Sequence, residues 1–256
     1  MLNFNVEEVV EKNTNYLRDF FNRFSEKSVA VIGISGGKDS TVAAAMLAKA
    51  LGKERVIGVM MPNGVQADIE DSKQVCEAIG IKHTTINIEA MFNAARATFE
   101  ADENITLTPQ LLTNLAPRLR MTTLYAVAQG QEVPAFVINT CNRSEDYVGY
   151  STKYGDAAGD VSVLQDLLVT EVRAVGDYLG LPSFLVHKTP SDGLCGKTDE
   201  DNLGFTYDEL DKYIMWIDEG ENGECPISAE LKEKIDRKHT ANLHKLKTIP
   251  SFARNN

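Results

Sequence analysis

One corner near the N-terminus narrows the possible folds more than any other feature. The run "VAVIGI" at residues 29–34 leads straight into "SGGKDS" at 35–40, and that into "TVAAAMLAKALG" at 41–52. The first stretch has the length and β-branched content of a buried strand. In the third, Val42, Ala43, Met46, Leu47, Ala50 and Leu51 share one face at helical spacing, and Gly52 is suited to end the helix. A strand that turns into a helix through two glycines opens a β–α unit, and repeated units of that kind build parallel sheets.

The pattern recurs. "RVIGVMMP" (55–62) is a second strand closed by Pro62, "IKHTTINI" (81–88) a third and "PAFVINT" (134–140) a fourth. Helices are predicted over 68–79, stopping at Gly80, and over 90–99. Another opens with Thr108 as N-cap and Pro109 in its first turn. Pro117 is expected to break that pattern, with a fresh helix starting at Asn114. An N-terminal stretch carries Val6, Val9, Val10, Leu17, Phe20, Phe21 and Phe24 at helical spacing, and with its scattered charges it reads as an amphipathic helix and not a signal peptide. The C-terminal third reads as helical: a short helix ending at Gly180, one with a Thr206/Glu209 capping box, and a last one over 228–244. The expected fold is α/β, a doubly wound, Rossmann-like parallel sheet with flanking helices, as a single domain over 1–256. Ligands then bind beyond the carboxyl ends of the strands, where loops 35–40, 62–68 and 140–145 share one rim. The polar, glycine-rich stretch "SDGLCGKTDEDNLG" (191–204) is expected to form a mobile lid over it.

Composition removes several classes of function. The net charge is −11 and no Lys/Arg block stands out, which disfavours nucleic acid and anionic membranes as partners. No apolar stretch approaches the ~20 residues that cross a bilayer. The four cysteines, Cys76, Cys141, Cys195 and Cys225, lack C-x-x-C spacing and read as reduced thiols of a cytoplasmic protein.

The corner itself suits an anion. Gly36 and Gly37 let the backbone approach closely, and the following helix presents unpaired N–H groups. It is neither G-x-x-x-x-G-K-[ST] nor G-x-G-x-x-G, because Asp39 stands between Lys38 and Ser40 and the glycine spacing differs. A carboxylate repels phosphate unless a divalent cation lies between them, and Mg²⁺ is bound through few carboxylates plus phosphate oxygens. The alternative is that Asp39 or Ser40 simply caps the helix.

"SGGKDS" after the first strand resembles the pyrophosphatase loop of AMP-forming ATP enzymes of the adenine nucleotide α-hydrolase type. Several further stretches resemble the NAD synthetase family in order along the chain. They are "NLAPRLRMTTLYAV" (114–127), "NTCNRSEDYVGYSTKYGDAAGD" (139–160), "HKTPSDGL", "GFTYDELDKYI" and "LHKLKTIP". The resemblance implies a ligase that amidates deamido-NAD to NAD with ATP and ammonia through an acyl-adenylate, releasing AMP and pyrophosphate. It assigns ATP to Gly33, Ile34, Ser35, Gly36, Gly37, Lys38, Asp39, Ser40, Thr140 and Ser191, and Mg²⁺ to Asp39 and Glu145. Deamido-NAD falls to Arg118, Lys153, Asp160, His244 and Lys245, and catalysis to Asp39, Asp156 and Lys153, with Asp156 the candidate for the ammonia pocket. It also implies a homodimer to which the helix of Arg118 contributes. No segment resembles a glutaminase, so free ammonia is the expected donor. At Val169 many members of the family carry a lysine that reaches ATP, and Lys38 is the expected replacement. The alternatives are another AMP-forming enzyme, GMP-synthetase-like or tRNA-modifying, and a non-catalytic ATP-binding module. His83 and His187 match no motif.

Overall fold

The computed structural model describes residues 4–66, 69–188, 198–247, 249–250 and 252. Its strands are β1 (Val29–Gly33), β2 (Val56–Met60), β3 (Lys82–Thr85), β4 (Ala135–Asn139) and β5 (Val161–Ser162). They form one parallel sheet in the order β3–β2–β1–β4–β5. Chain order reverses between β1 and β4, so the crevice of this doubly wound sheet opens at their carboxyl ends. On β1, Ala30 and Ile32 face one apolar layer and Val31 the other, which is why the strand reads as unbroken hydrophobicity. β3 is exposed throughout, and Lys82 and His83 sit on that edge.

The helices, in chain order, are α1 (Val6–Asn22), α2 (Lys38–Leu51), α3 (Ile69–Ile79), α4 (Glu89–Glu100), α5 (Pro109–Gln129), α6 (Arg143–Val148), α7 (Val169–Tyr178), α8 (Ser183–Val186), α9 (Asp199–Leu203), α10 (Tyr207–Asp218) and α11 (Ala229–Leu246). One sheet face packs on α1, α2 and α7 through Leu17, Phe21, Leu47 and Val172. The other packs on α5 through Ala116, Met121 and Leu124. A separate core, with Val148, Leu168, Leu203, Tyr207, Leu210, Tyr213 and Ile235, binds α6, α7, α9, α10 and α11 together beside the sheet.

Several expectations change. α5 runs unbroken through Pro117 instead of restarting at Asn114. The proline gives up one helical hydrogen bond, but the apolar face around it is held against the sheet, and tertiary packing outweighs local propensity. Asn114 instead accepts a hydrogen bond from the Thr152 hydroxyl, 2.8 Å. Residues 191–197 of the predicted lid, Ser191 and Cys195 included, lie outside the described residues. The stretch from Thr198 to Gly204 is no loop but a helix, α9, with a Thr198/Asp201 capping box and a left-handed Gly204 at its end. Three further elements, β5, α6 and α8, have no counterpart in the sequence reading, each too short to show a period. Asp68, the expected start of α3, also lies outside the described residues.

Candidate active site

Where β1 and β4 diverge, a cavity of about 370 Å³ opens, within the usual range for small-molecule sites. Gly33, Ile34, Ser35, Gly37, Lys38, Asp39, Ser40, Thr140, Glu145 and Asp156 all line it. Gly36 stands at the corner with φ +77°, a left-handed conformation. A Cβ there would lie 3.0 Å from the Asp71 Cβ and 3.1 Å from the Ser72 nitrogen, so the corner passes close against α3.

The corner is braced from within. The Ser35 and Ser40 hydroxyls are 3.1 Å apart, the Ser35 hydroxyl accepts from the Gly37 N–H, and Thr41 donates to the Gly37 carbonyl at 2.8 Å. Gly37 is the N-cap of α2, and no side chain caps the helix. Asp39 and Ser40 therefore do not cap, and the first N–H groups of α2 stay available to an anion.

Asp39 turns across the cavity. One of its oxygens accepts from the Lys38 ammonium at 2.8 Å and the other from the Asn142 amide at 3.0 Å. Asn142 is the N-cap of α6: its side chain accepts from the Glu145 N–H, and the Glu145 carboxylate accepts from the Asn142 N–H. One residue thus fixes two acidic side chains that are remote in sequence. The N-x-x-E signature that could have revealed it is a capping box. Burial, then repulsion from Asp39, raises the Glu145 carboxyl well above its ordinary range, with Lys38 opposing. Burial would lower the Lys38 ammonium, but Asp39 and Glu145 outweigh it and its pKa lies above the ordinary lysine value.

Asp156 opens to the cavity while protein surrounds its carboxyl, and the desolvation raises its pKa against the hydrogen bond from the Thr152 N–H. Its carbonyl accepts from Asn139 and from the Cys141 thiol. Burial, followed by Glu145, Asp156 and Asp146, pushes Cys141 far up, which keeps it a protonated thiol.

Four residues assigned to the acceptor nucleotide gather away from this cavity, where α11 meets the turn after α6. The Lys153 ammonium donates to the His244 carbonyl (2.9 Å), and that of Lys245 to the Gly149 and Ser151 carbonyls (2.7 and 2.9 Å). Arg118 donates to the Lys153 carbonyl at 3.4 Å. Asp160 stands apart, tied to the Val137 N–H and the Tyr125 hydroxyl. Val169 is fully buried in the helical core, and its N–H donates to Ser144. Cavity residues that sequence reasoning did not assign include Arg120, Tyr150, Lys188 and Asp199. Arg120 is the second arginine of "RLR", and only its inward register on α5 separates it from Arg118.

The model of the NAD synthase family matches residues 9–249. The chain belongs to the NAD synthase family. A relative from Pyrococcus furiosus, named NH(3)-dependent NAD(+) synthetase, is 36% identical over 93% of this chain and 91% of its own. Among solved structures, an NMN synthetase from Francisella tularensis superposes with a TM-score of 0.85 at 34% identity, covering 97% of this chain and 99% of that one. An NH3-dependent NAD synthetase from Campylobacter jejuni gives 0.80 at 25%, covering 98% and 100%. Within this family frame the carboxylate pair, the glycine corner and Asp156 share one cavity, a grouping suited to handling polyphosphate and a small cation.

Proposed function

We propose that this ligase amidates deamido-NAD to NAD with ATP and free ammonia, releasing AMP and pyrophosphate. The observation that carries the reading is the meeting of Asp39 and Glu145 across the glycine corner, joined by Asn142. A carboxylate cannot become an amide directly, because oxide is too poor a leaving group. The nicotinate carboxylate therefore attacks the α-phosphorus, the bond to the diphosphate breaks, and ammonia displaces AMP from the acyl-adenylate. In this reading Gly36, Gly37 and the Ser35 and Ser40 hydroxyls receive the phosphates, with Gly33, Ile34, Thr140 and Ser191 about the nucleotide. Asp156 binds ammonium, whose proton must leave before nitrogen can attack, and a carboxyl of raised pKa is suited to accept it. Lys153, Arg118, Asp160, His244 and Lys245 flank the acceptor nucleotide.

Two half-buried carboxylates that repel one another are a donor set that fits a divalent cation. Held by Asp39 and Glu145, Mg²⁺ would neutralise charge on the departing diphosphate. We propose further that the chain works as a homodimer: α4 has no buried residue although it carries Met91, Phe92 and Phe99, and it packs beside α5. Among the described residues no helix is long and apolar enough to cross a membrane, and a cytoplasmic setting is proposed with it.

The test is direct. Purified protein with ATP, Mg²⁺, ammonium and deamido-NAD should yield NAD, AMP and pyrophosphate in equal amounts; ADP as product would overturn the reading. The Francisella relative supports a second reading, in which the carboxylated mononucleotide is the better acceptor. The ratio of kcat/KM for the two acceptors decides between them.

A further inference from the structure

Charge is unevenly placed around the cavity. Asp39, Glu145 and Asp199 line it together with Lys38, and the Lys38 side chain is 1% exposed and paired with Asp39. It lies over the Tyr207 ring, 5.5 Å from its centre. Moving that ammonium to a ligand would break a buried pair and leave Asp39 without its cation.

A second ion pair lies where the first turn of α3 meets the glycine corner. Lys188, in the chain leaving α8, lines the cavity and places its ammonium 2.6 Å from Asp71. Asp71 is the residue whose Cβ would stand 3.0 Å from a Cβ on Gly36, so the pair rests against the anion corner itself. Its side chains are 29% and 34% exposed. An ion pair that water still reaches contributes modestly, and an ammonium on a flexible four-carbon stem changes partner easily. A polyphosphate entering the corner brings several charged acceptors, and these together hold a cation more strongly than one carboxylate does.

We infer that Lys188 is a polyphosphate-binding residue held by Asp71 until nucleotide arrives. When ATP binds, the ammonium passes from the Asp71 carboxylate to phosphate oxygens beside Gly36, and Asp71 is left to water. Lys38 keeps its place on Asp39. This rests on the proposed function and adds to it the cation that answers the phosphates on the α3 side.

The experiment is titration calorimetry of the full chain with a non-hydrolysable ATP analogue and Mg²⁺. Lys188→Met should weaken binding about tenfold or more, and Lys188→Arg should restore it to within about threefold. Asp71→Asn removes a competing partner and should bind the analogue as tightly as the wild type or a few-fold tighter. Affinity for deamido-NAD should not change in any variant, and melting curves establish that each is folded. Binding by Lys188→Met within twofold of wild type would overturn the inference. So would a loss in Asp71→Asn that parallels the loss in Lys188→Met, the signature of a pair that merely braces α3. The opposed response of the two variants is read without turnover. Absence of AMP and pyrophosphate in the wild-type assay would instead count against the proposed function.

Discussion

The two walls of the cavity are held by different physics. On the sheet side, β1, α2 and α5 are fixed by apolar burial on both faces, and backbone geometry places the glycine corner. On the helical side, α6, α7 and α10 meet around a buried acid. Asp211, fully buried, accepts from the Ser144 hydroxyl at 2.5 Å and from the Thr170 N–H at 2.8 Å, while Ser144 itself accepts from the Val169 N–H. Ser144 immediately precedes Glu145, so this network holds the second carboxylate of the site. One wall supplies a shape for anions, and the other supplies acidic groups whose position depends on every polar partner being in place.

The largest expected effect lies on the reacting groups. Glu145→Gln keeps an oxygen that can accept from the Asn142 N–H but removes the charge. Turnover should fall by about 10²–10³-fold, the scale of losing one charge-stabilising group. The melting temperature without ligand should hold or rise, because burial and Asp39 both oppose that charge. A variant with lower thermal stability and normal turnover would place Glu145 outside the chemistry.

Next come variants that weaken one wall at a time. Asp211→Ala leaves Ser144 and Thr170 without an acceptor and should cost about 3 kcal/mol, roughly 6–12 °C in melting temperature. Turnover of the folded fraction should fall as well, since Glu145 loses its support. Leu17→Ala, in the apolar core beneath α1, should cost about 2–5 kcal/mol but leave kcat of the folded fraction unchanged. Equal loss of kcat in both would erase the distinction between the walls.

A smaller effect is expected at Lys245. Its ammonium ties α11 to two carbonyls of the turn after α6. Lys245→Met should cost about 1–2 kcal/mol and raise KM for the acceptor nucleotide, with KM for ATP unchanged. Lost stability with an unchanged acceptor KM would show that the cluster only braces the turn.

The same contrast explains what could be read from the sequence. Periodicity exposes elements whose burial is apolar and extended, so β1, β2, β4, α1 and α2 were legible, and with them the rim where loops 35–40 and 140–145 meet. Glu145 was legible by resemblance, but its helix was not: the six residues of α6 carry no usable period, and a capping box and Asp211 hold them. Arg118 and Arg120 look alike in "RLR", and only the rotation of α5 sends Arg120 into the cavity. Lys188 gave no local signal, because its partner Asp71 is 117 positions away.

The gentlest probe of the contrast is pH. On the sheet side the titratable group inside the apolar core is Cys76, fully buried and close against Gly58 of β2. Burial, then Glu77, raises its thiol from an ordinary value of 9.0 to about 11. The unfolded chain therefore releases this proton at lower pH than the folded protein does. Stability is untouched below that window and falls as pH rises through it, by about 1 kcal/mol at pH 10. On the helical side Asp211 is raised too, by burial, against its hydrogen bonds from Ser144 and Thr170. Its window begins at the ordinary carboxylate value and extends upward, so its cost sets in as pH rises through mild acid and persists at neutral pH. Melting curves of Cys76→Ala should run parallel to wild type near pH 7, below it by the loss of a small core group. The gap should narrow toward pH 10, where only the wild type must keep that thiol protonated. An unchanged gap would mean that Cys76 ionises as it does in water and that the apolar wall is open to solvent there.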